Sequence, residues 1–246
     1  MRILITNDDG YEAKGIRILA DILKKYGEVT VIAPKKHQSG MSMALSLGFK
    51  PIAHKDLGNG WHYVDATPAS CVKFGLNTIF ADNYPDVVVS GINHGSNASV
   101  ASCYSGTLGA AAEAALNGVP AIGVSLDSLD LNCDFNGVTK YFGEIFSSIM
   151  KNYPKKHGVY YNVNFPDIPA DEIKGVRVGY QGMARWVREF REWDINFYKD
   201  INLTPEMLGQ SSNPIVEEGE ELYMMNLQMT LVIHRRQTTS LSPTDT

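Results

Sequence analysis

Two adjacent carboxylates, Asp8 and Asp9, follow directly on an apolar run, Ile3-Leu4-Ile5-Thr6, and precede a glycine, Gly10. Side by side they repel each other and gain little from packing, so a cation or a catalytic task is the natural reason for them. A divalent metal ion would meet that need. Asn7-Asp8-Asp9-Gly10 is also good turn chemistry, and an Asx-turn or the N-cap of a following helix accounts for the same residues. Two further polar clusters can join the carboxylates. Ser39 lies in Lys35-Lys36-His37-Gln38-Ser39-Gly40, and Asn93 in Gly91-Ile92-Asn93-His94-Gly95-Ser96-Asn97. Asp8, Asp9, Ser39 and Asn93 make an all-oxygen donor set that suits Mg²⁺ or Mn²⁺ and not zinc. His94 is a weaker candidate ligand, because a single loop histidine more often serves as a hydrogen-bonding residue. Tyr104-Ser105-Gly106-Thr107 opens an alanine-rich stretch, Leu108 to Asn117. A helix starting there offers unpaired backbone N–H groups beside the Ser105 and Thr107 hydroxyls, which is a ready phosphate site. Metal and phosphate together point to phosphoryl chemistry.

The elements that must position these groups are legible in the spacing. Ile3 to Thr6 has no polar alternation and reads as a strand covered on both faces, as in a parallel sheet. Ile16, Leu19, Ala20 and Leu23 recur at helical spacing between Ala13 and Tyr26, and Gly27 stands where a C-cap belongs. Val29 to Ala33, halted by Pro34, completes a β-α-β unit with a right-handed crossover. The Ser39 loop therefore opens on the same sheet edge as Asp8 and Asp9. Gly58-Asn59-Gly60 predicts a hairpin tip and Trp61 to Val64 its return strand. Thr67-Pro68 caps and starts a helix that runs to about Phe80. Asp86 to Ser90 predicts a strand that empties into the Asn93 loop. A helix from Leu108 to Asn117, a strand from Ala121 to Ser125, a helix from Gly137 to Asn152 and a strand from Val159 to Val163 follow. This alternation predicts an α/β fold with a doubly wound, mostly parallel Rossmann-like sheet.

Beyond Pro166 the pattern changes to short extended pieces at Val176 to Tyr180, Ile195 to Tyr198, Glu221 to Met224 and Leu227 to Ile233. The division expected is a metal- and phosphate-binding core over 1–165 and an extension over 166–246 that forms an oligomerisation arm with hairpins and sheet-completing strands. Trp186, Phe190 and Trp193, among Arg185, Arg188, Glu189, Arg191 and Glu192, resemble aromatic anchors with a charged rim, so a dimer or tetramer through this segment is expected.

A chain of 246 residues with 44% hydrophobic content can bury one large α/β core. Its net charge of −5 gives no footprint for DNA or RNA polymers. Cys71, Cys103 and Cys133 have no close-paired spacing, which argues for reduced, buried thiols and a cytoplasmic protein. No run approaches the length of a membrane helix. There is no G-x-x-x-x-G-K-[ST], no G-x-G-x-x-G after the first strand and no G-x-S-x-G, so P-loop, dinucleotide and serine-hydrolase chemistry are disfavoured.

Five segments, in this order, carry a resemblance. They are Asn7-Asp8-Asp9-Gly10, Ala33-Pro34 with Gln38-Ser39-Gly40, Thr67-Pro68 before Cys71-Val72, Val88 to Asn97, and Tyr104-Ser105-Gly106-Thr107. Together they resemble the stationary-phase survival protein SurE family, metal-dependent nucleoside monophosphate phosphatases. The resemblance implies one divalent cation, Mg²⁺ or Mn²⁺, on Asp8, Asp9, Ser39 and Asn93, with phosphate contacts from Asn97, Ser105, Gly106 and Thr107. It implies hydrolysis of nucleoside 5′- and 3′-monophosphates, with Asp8 or Asp9 as the catalytic carboxylate. Ser99, Val100 and Ala101 stand where the family has glycine and acidic residues, and Ser70 replaces an acidic residue. A sugar-nucleotide-dependent transferase and an inactive metal-dependent nucleotide-binding module are the rival readings.

Overall fold

The computed structural model describes residues 1–48, 51–130, 132–183, 185–187, 190–192, 223–225 and 230–232. The chain divides into two units, Met1–Gly179 and Tyr180–Thr246. In the first, seven strands form one sheet: β1 (Arg2–Thr6), β2 (Glu28–Pro34), β3 (His54–Gly58), β4 (Trp61–Val64), β5 (Val87–His94), β6 (Ala121–Asp127) and β7 (Tyr160–Pro166). The spatial order is β3-β4-β2-β1-β5-β6-β7, parallel except for the β3–β4 hairpin. The chain leaves β1 towards β2 and later returns to its other side as β5, so strand order reverses between β1 and β5. A doubly wound sheet binds ligands in the crevice at that reversal, outside the carboxyl ends of the strands.

Helices cover both faces, as the unbroken apolar runs require. On one face α1 (Lys14–Leu23) and α4 (Asn136–Lys151) pack Ile16, Leu19, Leu23, Phe142 and Phe146 on Ile3, Ile5, Val87 and Val89. On the other, α2 (Pro68–Asn77) and α3 (Gly106–Leu116) pack Val72, Leu76, Ala110, Ala111 and Ala114 on Leu4, Ile32 and Val88. Alternate residues of β1 thus enter different cores, which is why its sequence shows no polar alternation.

Three expectations are corrected. β5 does not end at Ser90 but continues through Asn93 to His94, past a register shift against β6 between Ser90 and Asn93. Gly91, which reads as a loop residue, sits inside the strand with φ +140°, and a Cβ there would lie 2.3 Å from the Val124 carbonyl oxygen. Close approach of two strands, not a turn, is the reason for glycine. Val176 to Tyr180 forms no strand and leaves Val178 and Tyr180 exposed. Cys103 is exposed, whereas Cys71 and Cys133 are buried.

In the second unit, β8 (Arg185–Val187) pairs antiparallel with β11 (Thr230–Val232), and β9 (Phe190–Glu192) with β10 (Tyr223–Met225). The expected pieces around Ile195 to Tyr198 lie outside the described residues, as do Arg188, Glu189 and Trp193.

Candidate active site

The turn after β1 separates the two readings of its acidic sequence. Asn7 takes the turn role: its Nδ2 donates to the Gly10 carbonyl at 2.9 Å, and Gly10 N–H donates back to Asn7 Oδ1 at 3.2 Å. The N-cap position of α1 is Ala13, with no side-chain cap. Neither aspartate is therefore needed for local structure. Backbone bonds tie this turn to the loop after β2, from Tyr11 N–H to Pro34 O at 2.9 Å and from Gln38 N–H to Asp8 O at 2.7 Å. They bring Ser39, exposed in the next turn, to the acidic edge. His37 comes with it, its Nδ1 3.4 Å from Asp9 Oδ1.

Asp8 is buried, and its Oδ1 accepts from the Thr107 hydroxyl at 2.6 Å. Burial first, and then the neighbouring Asp9 charge, push the Asp8 carboxyl up to about 6; the Thr107 hydrogen bond opposes this. The hydrogen bond that the His37 ring donates to Asp9 holds its pKa above the ordinary value despite partial burial. Asp9 Oδ2 is buried and has no hydrogen-bond partner. A buried carboxylate oxygen without a donor costs free energy unless a cation serves it. Among the described residues, no three His, Cys, Asp or Glu side chains are grouped to hold a metal. A cation at this edge would have to combine the two carboxylates with neutral oxygens. Asn93, at the end of β5, suits that role, because its Nδ2 is engaged with Gly95 O at 2.8 Å and its amide oxygen is left as the donor atom. The residues present fit a hard divalent ion.

The start of α3 faces Asp8. A Cβ on Gly106 would sit 3.0 Å from Asp8 Cβ and 3.1 Å from Asp8 Oδ2, so glycine permits the contact. Ser105 is the N-cap, its Oγ accepting from Leu108 N–H at 3.1 Å. The amides of Gly106 and Thr107 lie in the first turn, where no helix carbonyl can reach them, and the helix dipole favours an anion beside them. Of the two hydroxyls expected at a phosphate, Thr107 donates its proton to Asp8, whereas Ser105 only accepts, from Leu108 N–H.

The other expected residues divide. Asn97 is buried, its Nδ2 donating to Ser125 Oγ at 2.8 Å and its backbone held by Asn162 and Asn164 of β7. His94 turns elsewhere: Nδ1 lies 3.6 Å from Cys133 Sγ, and its ring meets Phe135 edge-on. Sequence reading missed His37 as the partner of Asp9 and the Asn162/Asn164 pair as the support of Asn97. The first had a signal in its place inside the candidate loop, two residues before Ser39; the Asn-x-Asn spacing, which puts two amides on one strand face, was the signal for the second.

Comparison with known proteins agrees with this geometry. The family model described as survival protein SurE matches residues 3–188. A 5′-nucleotidase SurE of Cytophaga hutchinsonii is 42% identical over 193 residues, 77% of this chain and 74% of that protein. Its counterpart in Flavobacterium johnsoniae is 38% identical over 241 residues, 94% of this chain and 92% of that protein. A crystal structure of the SurE protein of Aquifex aeolicus superposes with a TM-score of 0.71 at 33% identity, covering 80% of this chain and 79% of that one. A doubly wound sheet, an acidic turn at its strand-order reversal and matches of this extent lead to one conclusion: the chain belongs to the SurE family.

Proposed function

We propose that this chain is a divalent-metal-dependent 5′-nucleotidase that hydrolyses nucleoside 5′- and 3′-monophosphates to nucleoside and phosphate. The observation that carries the proposal is the carboxylate pair at the mouth of the β1/β5 crevice, Asp8 buried and Asp9 partly so, with Asp9 Oδ2 lacking any donor and the first turn of α3 facing Asp8. The cation, Mg²⁺ or Mn²⁺ and one per subunit, would be held by Asp8, Asp9, Ser39 and Asn93. When bound it would supply positive charge that polarises a phosphoryl oxygen and acidifies a water.

The remaining roles fall to the chain itself. The Gly106 and Thr107 amides stabilise charge gathering on the equatorial phosphoryl oxygens, with Ser105 holding the helix start in shape. Asn97, whose amide and backbone are held by Ser125, Asn162 and Asn164, is the remaining phosphate contact in this reading. Thr107 fixes Asp8 through its hydroxyl, so Asp8 has one oxygen committed. Asp9 has one oxygen beside His37 and the other unbonded, which suits it to orient a water and take its proton.

The test is phosphate release from a panel of 5′- and 3′-nucleoside monophosphates with Mg²⁺, Mn²⁺ or EDTA. Metal-dependent release from nucleotides supports the proposal. Tight nucleotide binding without release would replace it with a binding module, and transfer from a sugar nucleotide with a transferase.

The same proposal places the enzyme in the cytoplasm and makes it a dimer or tetramer through the segment after residue 166. Val176, Val178, Tyr180 and Met183 are exposed there, a density of apolar surface that favours association. No described helix is long and apolar enough to cross a membrane. Light scattering that gives the mass of a single chain at micromolar concentration would remove the oligomer from the proposal.

A further inference from the structure

The loop after β2 is tied down at two points, and Ser39 lies between them. At one, Gln38 N–H reaches Asp8 O at 2.7 Å. At the other, Ser42 meets the two residues that precede the α3 cap: its N–H donates to Tyr104 O at 3.0 Å and its hydroxyl to Cys103 O at 2.8 Å. The loop also lies directly on the first turn of the helix. A Cβ on Gly106 would stand 3.2 Å from Gln38 O, and one on Gly109 only 1.8 Å from Ser42 O, so the Ser42 carbonyl rests on a bare Cα. Ser42 holds this position with φ +51°, a left-handed conformation that a residue with a Cβ adopts only at a cost. The turn itself does not need the Ser42 hydroxyl. It closes through Ala44 N–H to Met41 O at 2.9 Å, and the Thr67 hydroxyl of the α2 cap fastens Ala44 O at 2.6 Å. The hydroxyl is directed to α3 alone.

From this arrangement we infer that Ser42 is a positioning residue: it latches the Ser39 loop onto the two carbonyls before Ser105, and so sets the distance between the metal-binding edge and the Gly106 and Thr107 amides. The inference rests on the proposed function for what those two places hold. A cation on one side and helix amides on the other can act on one phosphoryl group only while their separation is fixed, and a loop free to drift loses that alignment.

The test uses the full chain with Ser42→Gly, Ser42→Ala and Gly109→Ala. Glycine removes the hydroxyl but relieves the left-handed backbone, so the melting temperature of Ser42→Gly should equal or exceed that of the wild type. Its Mn²⁺ affinity, measured by calorimetry, should nevertheless fall about fivefold, and KM for a 5′-nucleoside monophosphate should rise by a similar factor with kcat changed less, the size of one neutral hydrogen bond. Ser42→Ala should match it in affinity while melting lower. Gly109→Ala, which favours the helix but drives a Cβ into the Ser42 carbonyl, should weaken Mn²⁺ more than about tenfold. Hydrogen exchange of the amides of residues 39–43 in metal-free protein reads the latch without metal or turnover, and should quicken in all three variants. Unchanged exchange in Ser42→Gly, or wild-type Mn²⁺ affinity together with wild-type KM, would overturn the inference. If the wild type releases no phosphate from nucleotides while exchange still quickens in the variants, the proposed function fails and the latch stands.

Discussion

Helix α3 has a buried carboxylate near each end, and the two are handled in opposite ways. Towards its carboxyl end Glu113 is buried, yet Lys73 Nζ reaches it at 2.8 Å and Asn117 Nδ2 at 2.9 Å. At the amino end, Asp8 faces the helix start with Asp9 next to it in the chain; the pair has one hydroxyl and one histidine between them, and no lysine or arginine pairs with them among the described residues. Glu113 joins α2 to α3 and has nothing further to do. The aspartate pair is incompletely served by the protein, and that deficit is what a ligand can fill. A buried acid with its own cation is structural; one without is a candidate for chemistry.

The sharpest way to break this comparison is to remove charge at each end. Asp9→Asn should lower phosphatase activity on the order of 10³-fold, because it removes a charged ligand and the group that takes a proton, while leaving core volume unchanged. Asp8→Asn should be as severe. Full activity in either variant, measured as phosphate release at saturating Mg²⁺, would detach the acidic turn from the reaction.

The metal-free protein offers the next effect. An Asp8 pKa raised from 3.8 to about 6 means that the folded state binds more protons than the unfolded state between those values. Stability from this group is therefore highest at low pH and falls as pH rises to about 6, by roughly 3 kcal/mol. In EDTA the wild type should lose stability against Asp8→Asn between pH 4 and 6.5, and added Mg²⁺ at pH 7 should reverse the order. Parallel melting curves for the two proteins across that range would contradict the assignment.

Glu113→Gln should cost about 1–2 kcal/mol in urea unfolding, a modest figure because Lys73 is half exposed and screened by water. Its kcat should not change, since Glu113 touches only structural partners. The smallest effect belongs to Ser105→Ala, about 1 kcal/mol for a lost helix cap. Any rise in KM should come from fraying of the amides of Gly106 and Thr107. Ser105→Gly, an uncharged residue that caps nearly as well, separates this from direct phosphate contact: near wild-type stability with KM still raised would mean that the hydroxyl itself meets the substrate.

Local physics made much of this legible in advance. Runs without polar alternation mark strands covered on both faces, Thr67-Pro68 marks a helix start, and Gly58-Asn59-Gly60 marks a hairpin; each depends on residues within one or two turns of chain. The chemistry of the acidic turn was legible for the same reason, since adjacent carboxylates repel wherever they are placed. The end of β5 was not, because Gly91 answers to the Val124 carbonyl on another strand and short-range signals carry no trace of it. Hydroxyl partners were likewise hidden: Ser105 and Thr107 look alike in sequence, yet one caps its own helix and the other reaches Asp8, 99 residues away.

The sequence by itself determined the strand and helix periods, the acidic turn and the family, because these rest on residue types and on spacing along the chain. Only the tertiary structure decided which carboxylate has a spare oxygen and which nitrogen His37 offers to Asp9. Those depend on distances across the sheet, which strand order and register set and no local propensity encodes.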